Sequence, residues 1–192
     1  ERPILLPGGL DELDNLLTKV GAERIRFDAA VGRNVLVRLE APEKALQRLR
    51  NGMTSKGRIS LSETDVTSFP ALTDLFPLST ESQDLARRVD QVQEEVTRFS
   101  SMTPEQIQSV LVIAGFVEIE VEVESVRTEI QISQSLIDRL LGTENQSGPL
   151  AESLRQELQP EELVALNAAA TNAIGRTVTW QRAVIYACAT VS

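Results

Sequence analysis

The sequence predicts an α/β protein built on a mainly parallel, twisted, doubly wound sheet in three layers. Two observations lead to that class. Short β-rich runs alternate with helical periods of about ten residues through the first 65 positions, and strands so spaced pair in parallel through right-handed crossovers. The chain also closes on an apolar strand-like run, "TVTWQRAVIYACATV". A length of 192 residues at 42% apolar composition fits one respectable core, so residues 1–192 are read as a single domain.

The elements follow in order. "RPILLPGG" reads as a short strand ended by proline and glycines, and Leu10, Leu13, Leu16, Leu17 and Val20 then recur at helical spacing as far as Gly21. "IRFDAAVGRNVLV" is a second β-rich run. "APEKALQRLRNG" begins near a proline and stops at Gly52, as a helix would. "GRISLSE" alternates Ile59 and Leu61 with small polar residues and makes a third strand. A connection carrying two prolines spans residues 66–79, and Thr80 with Gln83 spells a capping box. Behind it Leu85, Val89, Val92, Val96 and Phe99 form one apolar stripe, read as docking on the sheet rather than as a dimer seam. Thr103, Pro104 and Gln106 open another helix, closed by Gly115 as a left-handed cap.

In "GFVEIEVEVESV" the apolar residues Val117, Ile119, Val121 and Val123 face one way and Glu118, Glu120, Glu122 and Glu124 the other. The apolar phase then moves to Val126, Ile130 and Ile132, a slip that a bulge or bend near Glu124 and Ser125 would produce. "SQSLIDRLLG" is helical and "TENQSGP" a loop. "PEELVALNAAATNAIG" is an alanine-rich helix suited to close packing, and the terminal run is the last strand.

Composition narrows the function. No apolar run approaches the roughly 20 residues that span a bilayer, so a cytoplasmic protein with no membrane partner is expected. The chain opens on Glu1 without a charged-then-apolar leader and is read as a piece of a longer protein. There is no histidine, which removes serine–histidine and cysteine–histidine nucleophiles and the commonest metal ligand. The lone Cys188 sits among apolar neighbours and is read as an inert core thiol. The net charge of −9 is concentrated beyond residue 80, which disfavours direct nucleic-acid binding. A basic spot at Lys44, Arg48, Arg50, Lys56 and Arg58 reads first as plain solvation.

Candidate ligand-binding residues are few. "GRN" lies at the carboxyl end of a strand, where open α/β sheets collect ligands, so Arg33 and Asn34 are candidates; Glu63, with Asp65, follows the next strand and raises the same question. "PGGL" could present N–H groups to an anion, or be a simple strand-to-helix turn. Adjacent glutamates in the alternating row stand nearly 7 Å apart, too far to share a cation easily, which favours a solvated face that also guards against edge pairing. No catalytic residue and no metal ligand is assigned.

"FDAAVGRNVL", followed by "ALQRLRNGMTSKGRISLSE", resembles the fourth and fifth strands of class I S-adenosylmethionine-dependent methyltransferases, a Rossmann-type fold. "AGFVEIEVEVE" resembles the strand that follows in that family. "TVTWQRAVIYACA" resembles its final strand, which inserts antiparallel beside its predecessor. The family's Pro-Gly-Gly turn is replaced by "GMTSKGRISL", with only Gly57 in place. The family's glycine-rich cofactor turn and the acidic residue ending its second strand do not occur in this chain. The resemblance therefore implies S-adenosylmethionine in an intact domain and no cofactor held by this piece alone.

"ERPILLPGGLDEL", "FDAAVGRNVL" and "ISLSET" also resemble the C-terminal extension that some photosynthetic bacteria fuse to a replication-associated recombination ATPase of the AAA+ class. That resemblance places ATP hydrolysis and DNA clamping in an N-terminal part with no counterpart here. The implied function is an accessory or interaction domain, methyltransferase-like without the glycine motif, in a larger DNA-maintenance protein. Its partners would be the N-terminal part of its own chain, other proteins or further copies of itself. The alternative is the C-terminal part of an active methyltransferase.

Overall fold

In the computed structural model of the chain, residues 7–79, 82–143 and 148–192 are described. The predicted strand at 2–6, Thr80 of the first capping box and residues 144–147 of the "TENQSGP" loop lie outside them. The described residues form an α/β structure with one four-stranded mixed sheet and eight α-helices. The strands are β1 (Phe27–Arg33), β2 (Met53–Asp65), β3 (Val117–Gln131) and β4 (Thr177–Thr190), arranged β1-β2-β4-β3.

β1 and β2 are parallel, with Val31 opposite Ser60 and Arg33 opposite Ser62. β4 is antiparallel to both of its neighbours. Its end meets the start of β2 through Val191 N–H to Gly57 O (2.9 Å), and its beginning meets the end of β3 through Ile132 N–H to Arg176 O (2.9 Å). Three strands thus share one direction, and the C-terminal strand inserts against them beside its predecessor in sequence.

Contacts divide the chain into two compact units. Unit 1 comprises Glu1–Thr64, Met102–Glu124 and Val184–Ser192. Its helices are α1 (Leu13–Lys19), α2 (Pro42–Asn51) and α5 (Pro104–Ile113). Proline at the first position of α2 and the reciprocal Thr103–Gln106 capping box of α5 set where these helices start. Leu46 of α2 and Ile107 and Leu111 of α5 bury against Ile59 and Leu61 of β2 and Ile185 of β4. Each such side chain contributes about 1.5–3 kcal/mol of transfer free energy. α5 ends where Gly115, at φ +87°, turns the chain so that Phe116 N–H reaches Leu111 O (3.1 Å) and buries its ring. On the other side of the unit 1 strands Val31, Arg58, Ser60, Tyr186 and Cys188 are exposed.

Unit 2 comprises Asp65–Ser101 and Ser125–Ala183. It holds α3 (Leu72–Leu75), α4 (Gln83–Phe99), α6 (Gln134–Leu141), α7 (Pro149–Glu157) and α8 (Pro160–Asn172). The stripe Leu85, Val89 and Val92 of α4 is buried in a cluster to which α3 and α7 contribute and against which Ile130 of β3 and Val178 and Trp180 of β4 also pack. Ala170 and Ala173 let α8 pack closely, both almost fully buried. Arg88 of α4 reaches Glu162 at 2.6 Å and Glu157 O at 2.7 Å, and Phe69 meets Trp180 edge-on with centroids 5.2 Å apart.

Expectations change at the strands. Cys188 is exposed, because on β4 the inward positions are Ile185, Ala187 and Ala189, which turns Tyr186 and Cys188 outward. In β3 Ile119 and Val121 pack in the unit 1 cluster and Ile130 in the unit 2 cluster, while Val117 and Val123 are exposed.

Candidate functional site

The carboxyl ends of β1 and β2 hold the residues singled out by position. At the end of β1 the chain leaves the sheet through Asn34, whose φ of +51° is tolerated by its short polar side chain. Asn34 N–H still bonds Ser62 O (2.9 Å), and Thr64 N–H donates to Asn34 Oδ1 (2.8 Å). The backbone then tightens into a 3-10 turn, Leu36–Arg38. Glu63 closes that turn: its Oε1 accepts from Val35 N–H (2.9 Å) and Leu36 N–H (3.2 Å), with the residue only 2% exposed.

The structure therefore brings Asn34 and Glu63 together, each tying the first strand's exit to the second strand's end. Arg33 points to the other, exposed face. Among the described residues Glu63 Oε2 is buried with no hydrogen-bond partner. Asp65 caps its own turn, accepting from Thr67 N–H (3.0 Å) and from Ser101 Oγ (3.0 Å).

The other candidates have structural settings as well. Gly9 precedes a 3-10 turn, Leu10–Glu12, that runs into the seven-residue α1. Within the basic spot, Arg50 Nη2 donates to Ser192 Oγ (3.2 Å) while its guanidinium lies over Gly115. Glu118, Glu120, Glu122 and Glu124 are all exposed on β3, a terminal strand of the sheet. Three carboxylates are held below their ordinary range, each in the first turn of a helix. An Arg87 hydrogen bond lowers Asp84, the Thr103 hydroxyl lowers Glu105, and Gln159 N–H lowers Glu162 with help from Arg88. Among the described residues no group of three or more acidic, cysteine or histidine side chains converges as a metal site. None of their helices is long and apolar enough to cross a membrane.

One feature was missed in the sequence. α7 forms a cleft of about 650 Å³ with α6 and α8, where Ile137, Leu141 and Leu154 meet Asp138 and Asn167. Pro149 at the first helical position and the spacing of Leu150, Leu154 and Leu158 carried the signal for α7. The polar atoms in the cleft are locally engaged: Asp138 accepts from Gln134 (2.8 Å), and Asn167 donates to Leu163 O (2.8 Å).

No protein-family model and no curated protein matches the chain. Solved structures that resemble it include Haemonchus contortus phosphoethanolamine N-methyltransferase 2 in complex with S-adenosyl-L-methionine, at 15% identity and a TM-score of 0.36, covering 86% of this chain and 34% of that one. A Thermotoga maritima S-adenosylmethionine-dependent methyltransferase aligns at 14% identity and TM-score 0.39, over 88% of this chain and 59% of that one. The Bacillus subtilis YcgJ protein aligns at 10% identity and TM-score 0.39, over 94% and 77%. The chain thus spans about a third of the first of these proteins and about three fifths of the second. No activity transfers on likenesses of this level.

Proposed function

We propose that the chain is the distal part of a class I methyltransferase-type domain, serving as an accessory or interaction domain whose cofactor half is supplied by other residues. The observation that carries this reading is the C-terminal strand β4, antiparallel beside β3 and next to the parallel pair β1–β2, the arrangement implied by the motifs at 27–63 and 114–189. The edges of the sheet agree with it. Among the described residues β3, charged along its length, forms one edge of the sheet, and β1, with Ala29, Ala30, Val31 and Gly32, forms the other, onto which further strands can add.

S-adenosylmethionine does not fit the residues in hand. At the ligand-collecting ends of β1 and β2, Asn34 Oδ1 and Glu63 Oε1 already hold backbone N–H groups, and the chain has no glycine-rich turn to take a nucleoside. No methyl-transfer step is assigned to these residues. Fusion to a recombination ATPase of the AAA+ class rests on the sequence phrases alone, and Walker residues encoded upstream in the same gene would bear on it.

Calorimetric titration with S-adenosylmethionine and S-adenosylhomocysteine tests the reading, first on this chain and then on the longest natural chain that contains it. Binding by the longer chain alone is the expected result. Micromolar binding by the 192 residues themselves would overturn the assignment of the cofactor half elsewhere. Binding by neither leaves a borrowed fold and removes the methyltransferase part of the proposal.

A further inference from the structure

Away from the strand ends, one dipeptide joins a reactive pair to a fixed backbone. Asn51 closes α2 and Gly52 follows it, whereas Asn15, Asn34, Asn145, Asn167 and Asn172 precede leucine, valine, glutamine or alanine. Glycine has no β-carbon to crowd the approach of its backbone nitrogen to the carboxamide of the residue before it. Asn51 is exposed, so water reaches that carboxamide.

In the folded chain the nitrogen is held away from it. Gly52 has helical backbone angles, φ −84° and ψ −3°, and its N–H donates to Leu49 O (3.0 Å) and Arg48 O (3.2 Å). On its other side Gly52 O accepts from Phe27 N–H (3.0 Å) where β1 begins, and Phe27 pairs with Met53, the first residue of β2. Met53 is buried in the cluster that holds Leu46, Ile59 and Leu61. An untied helix end frays at little cost, but this one must also release the strands to which Gly52 and Met53 are bound.

We propose that Asn51 is a deamidation site that the fold keeps shut through Gly52, and that it opens when the last turn of α2 lets go of β1. Once open, Gly52 N attacks Asn51 Cγ. The bond from Cγ to the side-chain nitrogen breaks, and that nitrogen leaves as ammonia with the proton lost by Gly52 N–H. The cyclic imide then takes up one water and opens at either carbonyl, giving aspartate or isoaspartate. Isoaspartate carries the main chain through its own side chain and so adds a methylene between α2 and β2. With that insertion the Gly52–Phe27 bond and the Phe27–Met53 pairing cannot both re-form, which makes the step one-way. Aspartate adds only a charge, one turn from Arg48 on the same helix.

Peptide mapping of the intact chain tests this. Samples are held in mildly alkaline buffer, native or unfolded in urea, and trypsin cutting after Arg50 and Lys56 then releases residues 51–56 as one peptide. The mass change from amide to acid marks the reaction, and chromatography separates the aspartyl from the isoaspartyl form. In urea Asn51 is expected to react ahead of every other asparagine. In the native chain the product should accumulate at least tenfold more slowly, since each 1.4 kcal/mol or so of opening free energy is about a factor of ten. Isolated isoaspartyl chain should unfold at lower urea than the parent, while Asn51→Asp, which has the charge without the methylene, stays close to it. Equal rates in native and unfolded samples would overturn the gate, and another asparagine reacting first in urea would overturn the site. An isoaspartyl chain as stable as Asn51→Asp would overturn the one-way step.

Discussion

Replacing Asn34 separates the two reasons this residue stands at the exit of β1. Asn34→Ala removes the acceptor for Thr64 N–H and places a β-carbon residue at φ +51°. The lost bond leaves a half-buried donor without its protein partner, at about 1–2 kcal/mol. The left-handed backbone adds about 1 kcal/mol for alanine, at the lower end of its usual range. Asn34→Gly loses the same bond but adopts the backbone angle freely, so it is expected to recover about 1 kcal/mol of the deficit. Urea unfolding followed by circular dichroism measures both. With a slope of about 2 kcal/mol per M, the alanine variant should lose roughly 1 M in midpoint and the glycine variant about half that, at unchanged slope. A glycine variant no better than alanine would refute the backbone argument, and an alanine variant within about 0.5 kcal/mol of the parent would refute the hydrogen bond.

Other outcomes follow from the same geometry. Gly115→Ala places a β-carbon 3.3 Å from Arg50 Nε at φ +87°, and should cost about 1–2 kcal/mol in the same assay; an unchanged midpoint would mean the cap is not left-handed. Glu162 has a folded-state pKa below its ordinary 4.5, so its contribution to stability is complete above that value and is lost as the pH falls through the lower, folded one. Glu162→Gln should therefore flatten the acid limb of the stability–pH curve below about pH 4.5, and an acid limb identical to the parent's would count against it. Cys188 should react with a maleimide in the native state; protection until unfolding would restore the core assignment.

Local chemistry made much of the fold legible. The Thr103–Pro104–Gln106 start, the Gly115 stop and the alanine-rich helix are short-range signals, and each lies where the sequence puts it. What the sequence hid depended on distant residues or on ambiguous parity. In "VIYACATV" both faces look apolar, so nothing local says that Cys188 turns outward. The run through Val35 and Leu36 reads as strand, yet Glu63, 27 residues beyond Leu36, draws their N–H groups into a 3-10 turn. β2 begins at Met53, ahead of the Gly57 turn suggested by the methyltransferase pattern, because Lys56 takes φ +67° and the strand carries an irregularity there. Arg33, Asn34 and Glu63 were picked by position alone. Position could not say that the latter two face the backbone.

The pairing of Phe69 with Trp180 has a practical corollary. Trp180 is the chain's one tryptophan and lies in unit 2, whereas the one cysteine, Cys188, lies in unit 1. Indole emission and a thiol-linked dye therefore watch different halves of the molecule without any engineered label. If the two signals change at the same denaturant concentration, the units melt as a single cooperative body; if they separate, the order in which they part names the half that holds on longer.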